Sequence, residues 1–253
     1  MDGIRFVYNK PMIIVSHNDR NALVIGDVHI GIERKLKKKG LEVDNLTGRM
    51  TSDILDTAAE FNVNEIIILG DIKESILYPE RYERFQIEKF LKELSIYNLI
   101  LLSGNHDSHI NEIAKIKLET EYVFGNNVFL HGNRWPSEKS MMSDFIFIGH
   151  NHMAVSIKEN GYVVYNDKVW LKAKLSIKNA HLRYKKFNKK IEMIAVPAFN
   201  PFITGFNILQ DKEPISPIIK NGIFDYQNGN IYTLNGDILG SIKKLKKKQI
   251  TQT

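Results

Sequence analysis

Five short polar motifs carry residue types that bind metal ions. They are Asp27-x-His29, Gly70-Asp71, Gly104-Asn105-His106-Asp107, His131-Gly132 and Gly149-His150-x-His152, and they contain five of the eight histidines. In a loop that ends a strand, alternate residues can point to the same side, so the Asp-x-His and His-x-His motifs can each supply two ligands to one centre. Carboxylate, imidazole and amide donors without a thiolate suit Mn²⁺, Fe, Zn²⁺ or Ni²⁺ better than Ca²⁺ or Mg²⁺ alone.

The number of candidate ligands is too large for one tetrahedral ion. The candidates are Asp27, His29, Asp71, Asn105, His131, His150 and His152. A set of this size suits two divalent ions about 4 Å apart that share one carboxylate. We therefore predict a dinuclear centre, with Mn²⁺ as the favoured ion and Fe, Zn²⁺ or Ni²⁺ as alternatives.

Short apolar runs precede the motifs and are typical of buried strands. These runs cover residues 23–25, 66–69, 99–102 and 145–148, and each leads into glycine or serine-glycine and then into polar residues. Continuous aliphatic runs of this length indicate strands that are buried on both faces. Ligand sites in such sheets lie beyond the carboxyl ends of the strands, so we expect the motifs to meet at one edge.

Helical periodicity lies between the first three runs. Apolar residues recur every three or four positions over 45–61 and 79–94, and Pro79 suits the first turn of the second helix. Alternating strands and helices predict an α/β sheet with right-handed crossovers.

After about residue 150 the pattern changes to short strands and turns. We predict one domain over residues 1–253, with antiparallel strands in its second half and a basic mobile tail from about residue 241. The predicted hairpins pair 4–8 with 12–15, 161–165 with 169–175 around Asn166-Asp167, and 224–226 with 231–232 around Asn228-Gly229.

The five motifs, in this order, resemble the pattern of the calcineurin-like metallophosphoesterase superfamily, which is D-x-H, GD, GNH-[DE], H and GH-x-H. They span residues 27–152, and in finer detail the chain is similar to the archaeal SbcD-like or ICC-like phosphoesterases. The segment Val196-Pro197-Ala198-Phe199-Asn200-Pro201 also fits that group. The resemblance implies an α/β fold in which a two-sheet β-sandwich is flanked by helices.

The resemblance also implies a role for each motif residue. Asp27, His29 and His152 would hold one metal ion, Asn105, His131 and His150 would hold the other, and Asp71 would bridge them. A water between the ions would then attack phosphorus in line. His106 would stabilise the developing charge or protonate the leaving oxygen, and Asp107 would orient and charge that imidazole.

Composition narrows the class of protein. The 253 residues are 43% hydrophobic and 25% charged, and they include no cysteine. These values exclude a disordered or collagen-like chain, a disulfide scaffold and a thiolate metal site. No apolar run approaches the length of a membrane span and the N-terminus lacks a signal-peptide pattern, so we expect a soluble cytoplasmic protein.

The basic residues are concentrated in three segments. Residues 34–39, 168–190 and 243–248 hold five, nine and five lysines or arginines without an acid, so the remainder of the chain is acidic although the formal net charge is +6. The first segment follows His29 in the same connection, so Arg34 and Lys35 are candidate substrate contacts. Arg134 and Trp135, just after His131, could form a phosphate clamp and a stacking face.

These features lead us to expect an enzyme that hydrolyses phosphodiesters, with nucleic acid (DNA or RNA) or a nucleotide as the favoured substrate and no membrane partner. A small-molecule phosphatase or cyclic-nucleotide phosphodiesterase is the alternative, and a non-catalytic phosphate-binding module is a third possibility. Glu74 stands where several SbcD-type nucleases have a histidine, which argues against exonuclease activity of that kind. The oligomeric state is open.

Overall fold

The structure, a computed structural model, describes residues 3–160, 162–203, 205–210 and 214–250. Its strands are β1 Gly3–Phe6, β2 Ile13–His17, β3 Arg20–Ile25, β4 Glu65–Ile68, β5 Asn98–Leu102, β6 Leu118–Glu119, β7 Tyr122–Phe124, β8 Asn127–Leu130, β9 Phe145–Ile148, β10 Met153–Glu159, β11 Tyr162–Lys174, β12 Glu192–Ala195, β13 Phe206–Asn207, β14 Asn230–Thr233 and β15 Ile238–Ser241. Its helices are α1 Ile32–Lys38, α2 Leu46–Glu60, α3 Arg81–Leu94, α4 Ile110–Ala114, α5 Ile177–Ala180, α6 Pro217–Lys220 and α7 Ile242–Ile250.

The strands form two sheets. The first has the order β1-β2-β3-β4-β5-β6, with β3 to β6 parallel and β1 and β2 antiparallel at one edge. The second has the order β13-β10-β11-β12-β9-β8-β7, and β14 and β15 add to it through β11. Within the second sheet, β8, β9 and β12 are parallel.

The two sheets pack face to face, and helices cover their outer faces. Leu23 and Ile25 of β3 pack in a core with α2 and α3, whereas Ala22 and Val24 pack in a second core with Trp170 of the other sheet. This alternation follows from the two-residue period of a strand. A third core lies between the second sheet and the segments that contain α6 and α7. The α/β prediction of a two-sheet β-sandwich flanked by helices is therefore confirmed.

Two of the predicted hairpins are wrong in detail. Gly161 lies outside the described residues, and 162–174 form one long strand, β11, that pairs with β10, so Asn166-Asp167 lies within a strand and not in a turn. Asn228-Gly229 precedes β14, whose antiparallel partner β15 follows a turn at 234–237. At Asn166-Asp167, pairing with β10 outweighs local turn preference, whereas Asn228-Gly229 does lie at a turn, but this turn leads into β14 and does not close the predicted hairpin. The opening hairpin is confirmed by the β1–β2 register.

The segment from residue 241, for which we predicted a basic mobile tail, contains a helix. It forms helix α7, whose first residue, Ile242, is completely buried in the outer core of the second sheet. The lysines follow on the same helix and are exposed or half-buried. Ile242 and Leu245 thus pack against this core in a segment whose composition suggested a solvated tail. Within the described part of the chain, no helix combines the length and apolarity that crossing a membrane requires.

Candidate metal centre

The five motifs follow the carboxyl ends of strands in both sheets. The first sheet contributes the loops after β3, β4 and β5, and the second contributes the loops after β8 and β9. Because each set of strands is parallel and the sheets pack face to face, these loops meet at one edge of the sandwich, which we call the carboxyl edge. All seven candidate ligands come from this edge.

The backbone at this edge is unusual. Five of the candidate ligands, which are Asp27, His29, Asp71, His150 and His152, have positive φ angles between 43° and 67°. Residues with a Cβ rarely adopt this left-handed conformation, and such residues concentrate at functional sites because the surrounding structure has to hold them there.

Glycine allows the loops to approach one another closely. A Cβ on Gly70, whose φ is +92°, would lie 2.7 Å from the backbone nitrogen of Gly104 and 2.8 Å from Nδ1 of His131. A Cβ on Gly104 would overlap the backbone nitrogen and carboxylate of Asp71. The loops after β4, β5 and β8 therefore meet only because these positions lack a side chain.

One cluster of donor atoms contains Asp27, His29, Asp71 and His152. Nε2 of His29 lies 3.3 Å from Nε2 of His152 and 3.8 Å from Oδ2 of Asp71. Nε2 of His152 lies 3.4 Å from Oδ1 of Asp27. The predicted first ligand set therefore converges on one point.

A second cluster contains Asp71, His131 and His150. Nε2 of His131 lies 3.4 Å from Oδ2 of Asp71, 3.1 Å from Nδ1 of His150 and 3.1 Å from Oδ1 of the exposed Asn105. The structure thus brings the predicted second ligand set together as well. The Asp71 carboxylate belongs to both clusters, which is the position predicted for a bridging ligand.

The donor atoms of the second cluster fit a cation. Nδ1 of His131 lies 2.7 Å from the carbonyl oxygen of Leu69, which can only accept a hydrogen bond, so this nitrogen carries the proton. Nε2 is then surrounded by carboxylate, amide and imidazole atoms that all offer lone pairs. Only a proton or a metal ion at the centre relieves that repulsion, and divalent metal ions accept this mixture of donors.

Without a metal ion, the charged groups of the two clusters shift one another's pKa values. Burial would raise the pKa of Asp27, but His152 and His131 outweigh it and hold the pKa below its usual range. Burial opposes a charged ring at His131, but Asp71 and Asp27 raise the pKa of His131 to about 9. Burial and the neighbouring His131 lower the pKa of His150 to about 4. His131 is therefore the protonated partner of two carboxylates.

The ring of His29 also contacts a carboxylate outside the predicted ligand set. Its Nδ1 lies 2.9 Å from Oε2 of Glu74, and the other oxygen of that carboxylate binds the ammonium of Lys35. Burial opposes ionisation of Glu74, but His29 and Lys35 lower the pKa of Glu74 to about 2. The contact is at ion-pair distance without hydrogen-bond geometry at Nδ1, so the charge of the Glu74 carboxylate increases the basicity of the ring.

The main chain of the His29 loop is held by Asn200. The buried side-chain amide of Asn200 donates to the carbonyl oxygens of Val28, at 2.8 Å, and His29, at 3.3 Å. Lys168 in turn donates to the carbonyl oxygens of Ala198 and Asn200. The sequence predicts no individual role for Asn200 or Lys168, and the fit of the 196–201 segment to the family pattern is the signal that could have pointed to Asn200.

His106 lies beside the clusters and is half-buried. Its backbone N–H donates to Oδ1 of Asp71, and its Nδ1 lies 2.8 Å from the carbonyl oxygen of Glu74. The ring meets that of His29 edge-on, with 5.0 Å between centroids. Because the carbonyl oxygen takes the Nδ1 proton, Nε2 is the nitrogen that remains for chemistry.

Asp107 does not have the predicted contact with the His106 ring. Its buried carboxylate accepts hydrogen bonds from the backbone N–H groups of Asp71, Ile72 and Gly104, at 2.7 to 2.9 Å. Burial, followed by the charge of Asp71, raises the pKa of Asp107. This side chain joins the loops after β4 and β5, and the backbone carbonyl of Glu74 takes over the orienting role that we predicted for it.

The predicted substrate residues have different surroundings. Lys35 reaches the centre indirectly, through Glu74, whereas Arg34 pairs with Glu80. Trp135 lies under the guanidinium of Arg183, 3.9 Å from the ring centroid, and Arg134 is exposed. Of these four residues, only Lys35 contacts a side chain, Glu74, that itself lies beside a candidate ligand.

The family is established by comparison with known proteins. The model of the calcineurin-like phosphoesterase family matches residues 21–194, which is more than half of the chain. This chain belongs to the calcineurin-like phosphoesterases. The family uses divalent metal ions, and the two clusters supply suitable donors in this member. Family membership supports a hydrolase that acts on phosphate esters.

The fold is shared with the solved structure of a nuclease, and two further solved structures are less similar. The nuclease MPE of Pseudomonas putida is 17% identical, with a TM-score of 0.55 over 92% of this chain and 98% of that chain. The E. coli phosphoesterase Yfce is 14% identical (TM-score 0.42, 87% and 96%), and a Vps29 mutant from Entamoeba histolytica is 16% identical (TM-score 0.30, 56% and 70%). No curated protein matches this phosphoesterase in sequence.

Proposed function

We propose that this calcineurin-like phosphoesterase hydrolyses phosphodiester bonds with two divalent ions, for which Mn²⁺ is the favoured identity. The observation that carries the proposal is the position of Asp71, whose Oδ2 lies 3.8 Å from Nε2 of His29 and 3.4 Å from Nε2 of His131. One carboxylate oxygen between two histidine clusters is the arrangement that a dinuclear centre requires.

The ligand sets follow from the two clusters. Asp27, His29 and His152 would hold one ion, Asn105, His131 and His150 the other, and Asp71 both. When bound, the ions supply Lewis-acid activation of the phosphate and of water. The protein contributes the rigid loops that hold the ligands, so that little reorganisation is needed when charge develops.

His106 is the acid in this proposal. Its ring is fixed through Nδ1 and the carbonyl oxygen of Glu74, so Nε2 keeps one direction. In the protonated state, Nε2 donates a proton to the leaving oxygen as the ester bond breaks. Positioned general acids of this kind contribute roughly 10²- to 10⁴-fold in rate.

For the substrate, we propose a nucleic acid or a nucleotide. The basic residues of α1 continue from the His29 loop, and the Arg183–Trp135 pair presents a stacked cation and ring after the His131 loop. Among the structures that share the fold, the Pseudomonas putida protein is described as a nuclease. Membership of the SbcD-like or ICC-like subgroup and a cytoplasmic location belong to the same proposal.

A second candidate function, hydrolysis of a small phosphomonoester or cyclic nucleotide, has its own supporting observation. Arg34 and Lys35, the candidate substrate contacts of the first basic segment, are already paired with Glu80 and Glu74. Paired cations attract a polyanion less strongly than free ones. A smaller substrate would not need them.

The activity test uses the Mn²⁺-loaded protein and bis-p-nitrophenyl phosphate. We expect Mn²⁺-dependent hydrolysis by the wild type and a loss of about 10²-fold or more in His106→Ala, with metal content retained by elemental analysis. His109→Ala is the matched control because His109 pairs with Glu112 outside the clusters, and it should keep full turnover. If His106→Ala keeps full activity, or loses its metal, the role of His106 is contradicted. If the wild type itself hydrolyses nothing, a non-catalytic phosphate-binding module is favoured.

The substrate test compares cleavage of single- and double-stranded DNA, RNA, cyclic nucleotides and a monoester. For a nucleic acid, binding should weaken steeply with salt because each neutralised phosphate releases counterions. Salt-insensitive binding, together with preference for a monoester or cyclic nucleotide, would move the assignment to the second candidate function.

A further inference from the structure

A cavity of about 520 Å³ lies apart from the ligand clusters. Its walls come from the β1–β2 turn, the first half of α2 and the loop after β12, and they include Pro11, Met50, Phe199, Pro201 and Phe202. The volume lies within the range of small-molecule sites, and such sites combine apolar walls with a few polar groups.

The cavity lies at the same edge of the first sheet as the metal centre. Ile13, at the start of β2, pairs with Val24 near the carboxyl end of β3, so the β1–β2 turn extends beyond that end. The backbone N–H of Phe199 donates to the carbonyl oxygen of Gly26, directly before Asp27. Two of the three walls are therefore adjacent to the loop that carries Asp27 and His29.

The cavity has one cation available for a ligand. Lys10 is engaged by the Asp53 carboxylate and by Thr57. Arg49 is exposed on the same wall, and within the described residues its guanidinium has no hydrogen bond or ion pair. An arginine in this state binds phosphate through its planar set of N–H donors.

A direct set of bonds joins the cavity wall to the metal loop. Oδ1 of Asn200 accepts a hydrogen bond from the backbone N–H of Phe202, at 3.0 Å, while its Nδ2 donates to the carbonyl oxygens of Val28 and His29. A ligand that packs against Phe202 is thus one side chain away from the main chain of His29. This connection is what we expect of a subsite of the same active site.

We infer that this cavity binds the nucleoside part of a substrate nucleotide that adjoins the scissile phosphate. The base packs against Phe202 and the neighbouring apolar wall, and Arg49 binds the phosphate of that nucleotide. Aromatic stacking tolerates any base, so the subsite recognises a nucleotide without reading its sequence. The inference rests on the proposed function, because it names the substrate class of that site.

The test measures binding of AMP and of ribose 5-phosphate to the metal-free protein by calorimetry. We expect AMP to bind more tightly than the baseless sugar phosphate, and we expect Phe202→Ala and Arg49→Ala each to weaken AMP binding about tenfold. Leu182→Ala and Lys92→Ala remove an exposed apolar and an exposed basic side chain away from the cavity, and both should bind AMP as the wild type does. Hydrogen exchange should slow at 46–53 and 199–203 when AMP is added.

The outcomes separate the subsite from the catalytic proposal. Absent AMP binding, or AMP binding that neither cavity variant changes, overturns the subsite. Equal binding of AMP and ribose 5-phosphate also overturns it, because the base then makes no contact. AMP binding that depends on Phe202 and Arg49, in a protein that hydrolyses no phosphate ester with metal present, supports the subsite and removes the proposed function.

Discussion

Among the individual residues, Nε2 of His131 has the surroundings that most need a proton or a metal ion. Three atoms with lone pairs surround it, from Asp71, Asn105 and His150, at 3.1 to 3.4 Å. Without metal, a proton stabilises this arrangement, and the two carboxylates raise the pKa of His131 to about 9. Metal binding therefore requires that His131 give up this proton.

This exchange predicts how metal affinity depends on pH. Below pH 9 the fraction of His131 that is deprotonated falls about tenfold for each pH unit, so affinity for Mn²⁺ should rise with pH between 6.5 and 8.5 by at least about tenfold per unit. The pKa of His150, lowered to about 4, adds no dependence in this range. Calorimetric titration in buffers of different ionisation enthalpy checks both the slope and the proton release. An affinity that is constant over this range, without proton release, contradicts the prediction.

The loops after the strands act as interlocked elements. Asp107, in the loop after β5, accepts from the backbone of Asp71 and Ile72 in the loop after β4. Asn200, after β12, holds the carbonyl oxygens of Val28 and His29 after β3. Because each left-handed ligand residue is strained locally, these cross-loop bonds are what keep the ligands in place.

Gly104→Ala tests the close approach of two loops. The added Cβ would overlap the backbone nitrogen and carboxylate of Asp71, so the β4 or β5 loop has to move. We expect at least a tenfold loss of metal affinity and a destabilisation of about 1–3 kcal/mol, measured by calorimetry and urea unfolding. Gly3→Ala is the control because, within the described part of the chain and apart from its two sequence neighbours, nothing lies within 4 Å of an added Cβ, and it should change neither quantity. Unchanged metal affinity in Gly104→Ala is the opposing result.

Asn200→Ala tests support of the His29 loop from the second sheet. The carbonyl oxygen of Val28 loses its side-chain donor and that of His29 keeps only the Ile32 N–H among the described residues, so the loop becomes less well held. Loss of such outer support typically lowers metal affinity 10- to 100-fold, and we expect a value in that range. The exposed Asn166→Ala should bind metal normally. If the two variants bind metal equally well, Asn200 has no part in holding the site.

Across the whole molecule, the basic segments are less free than the sequence suggests. Lys35 pairs with Glu74, Lys172 pairs with Glu192 at 2.8 Å, and Lys168 is turned inward to backbone carbonyl oxygens. Burial lowers the pKa of Lys168 to about 8. The acidic body of the protein therefore neutralises part of the charge on which a nucleic acid would depend.

The structure of the C-terminal segment also depends on the whole molecule, because this segment packs against the second sheet. Ile242 is completely buried, whereas Ile238, four residues earlier, is 67% exposed. We expect Ile242→Ala to lower the free energy of unfolding by about 2–5 kcal/mol. Ile238→Ala should change it by no more than about 0.5 kcal/mol. Urea unfolding measures both, and equal small effects would show that α7 adds no stability.

The sequence alone determined the parts of this protein that depend on local chemistry. The strands β1 to β5, the helices α2 and α3 and the seven candidate ligands follow from periodicity or from motifs such as Asp27-x-His29, and the division of those ligands into two sets follows from the family resemblance. These features are encoded within a few neighbouring residues, and the carboxyl ends of parallel strands bring the motifs together without further information.

The tertiary structure decided everything that depends on partners distant along the chain. It placed Asp107 on backbone N–H groups rather than on His106, paired Lys35 with Glu74, and assigned Asn200 to the His29 loop. It also turned the lysine-rich end into a helix anchored by Ile242. A charged or polar side chain has several possible partners of similar energy, and only packing of the two sheets selects among them.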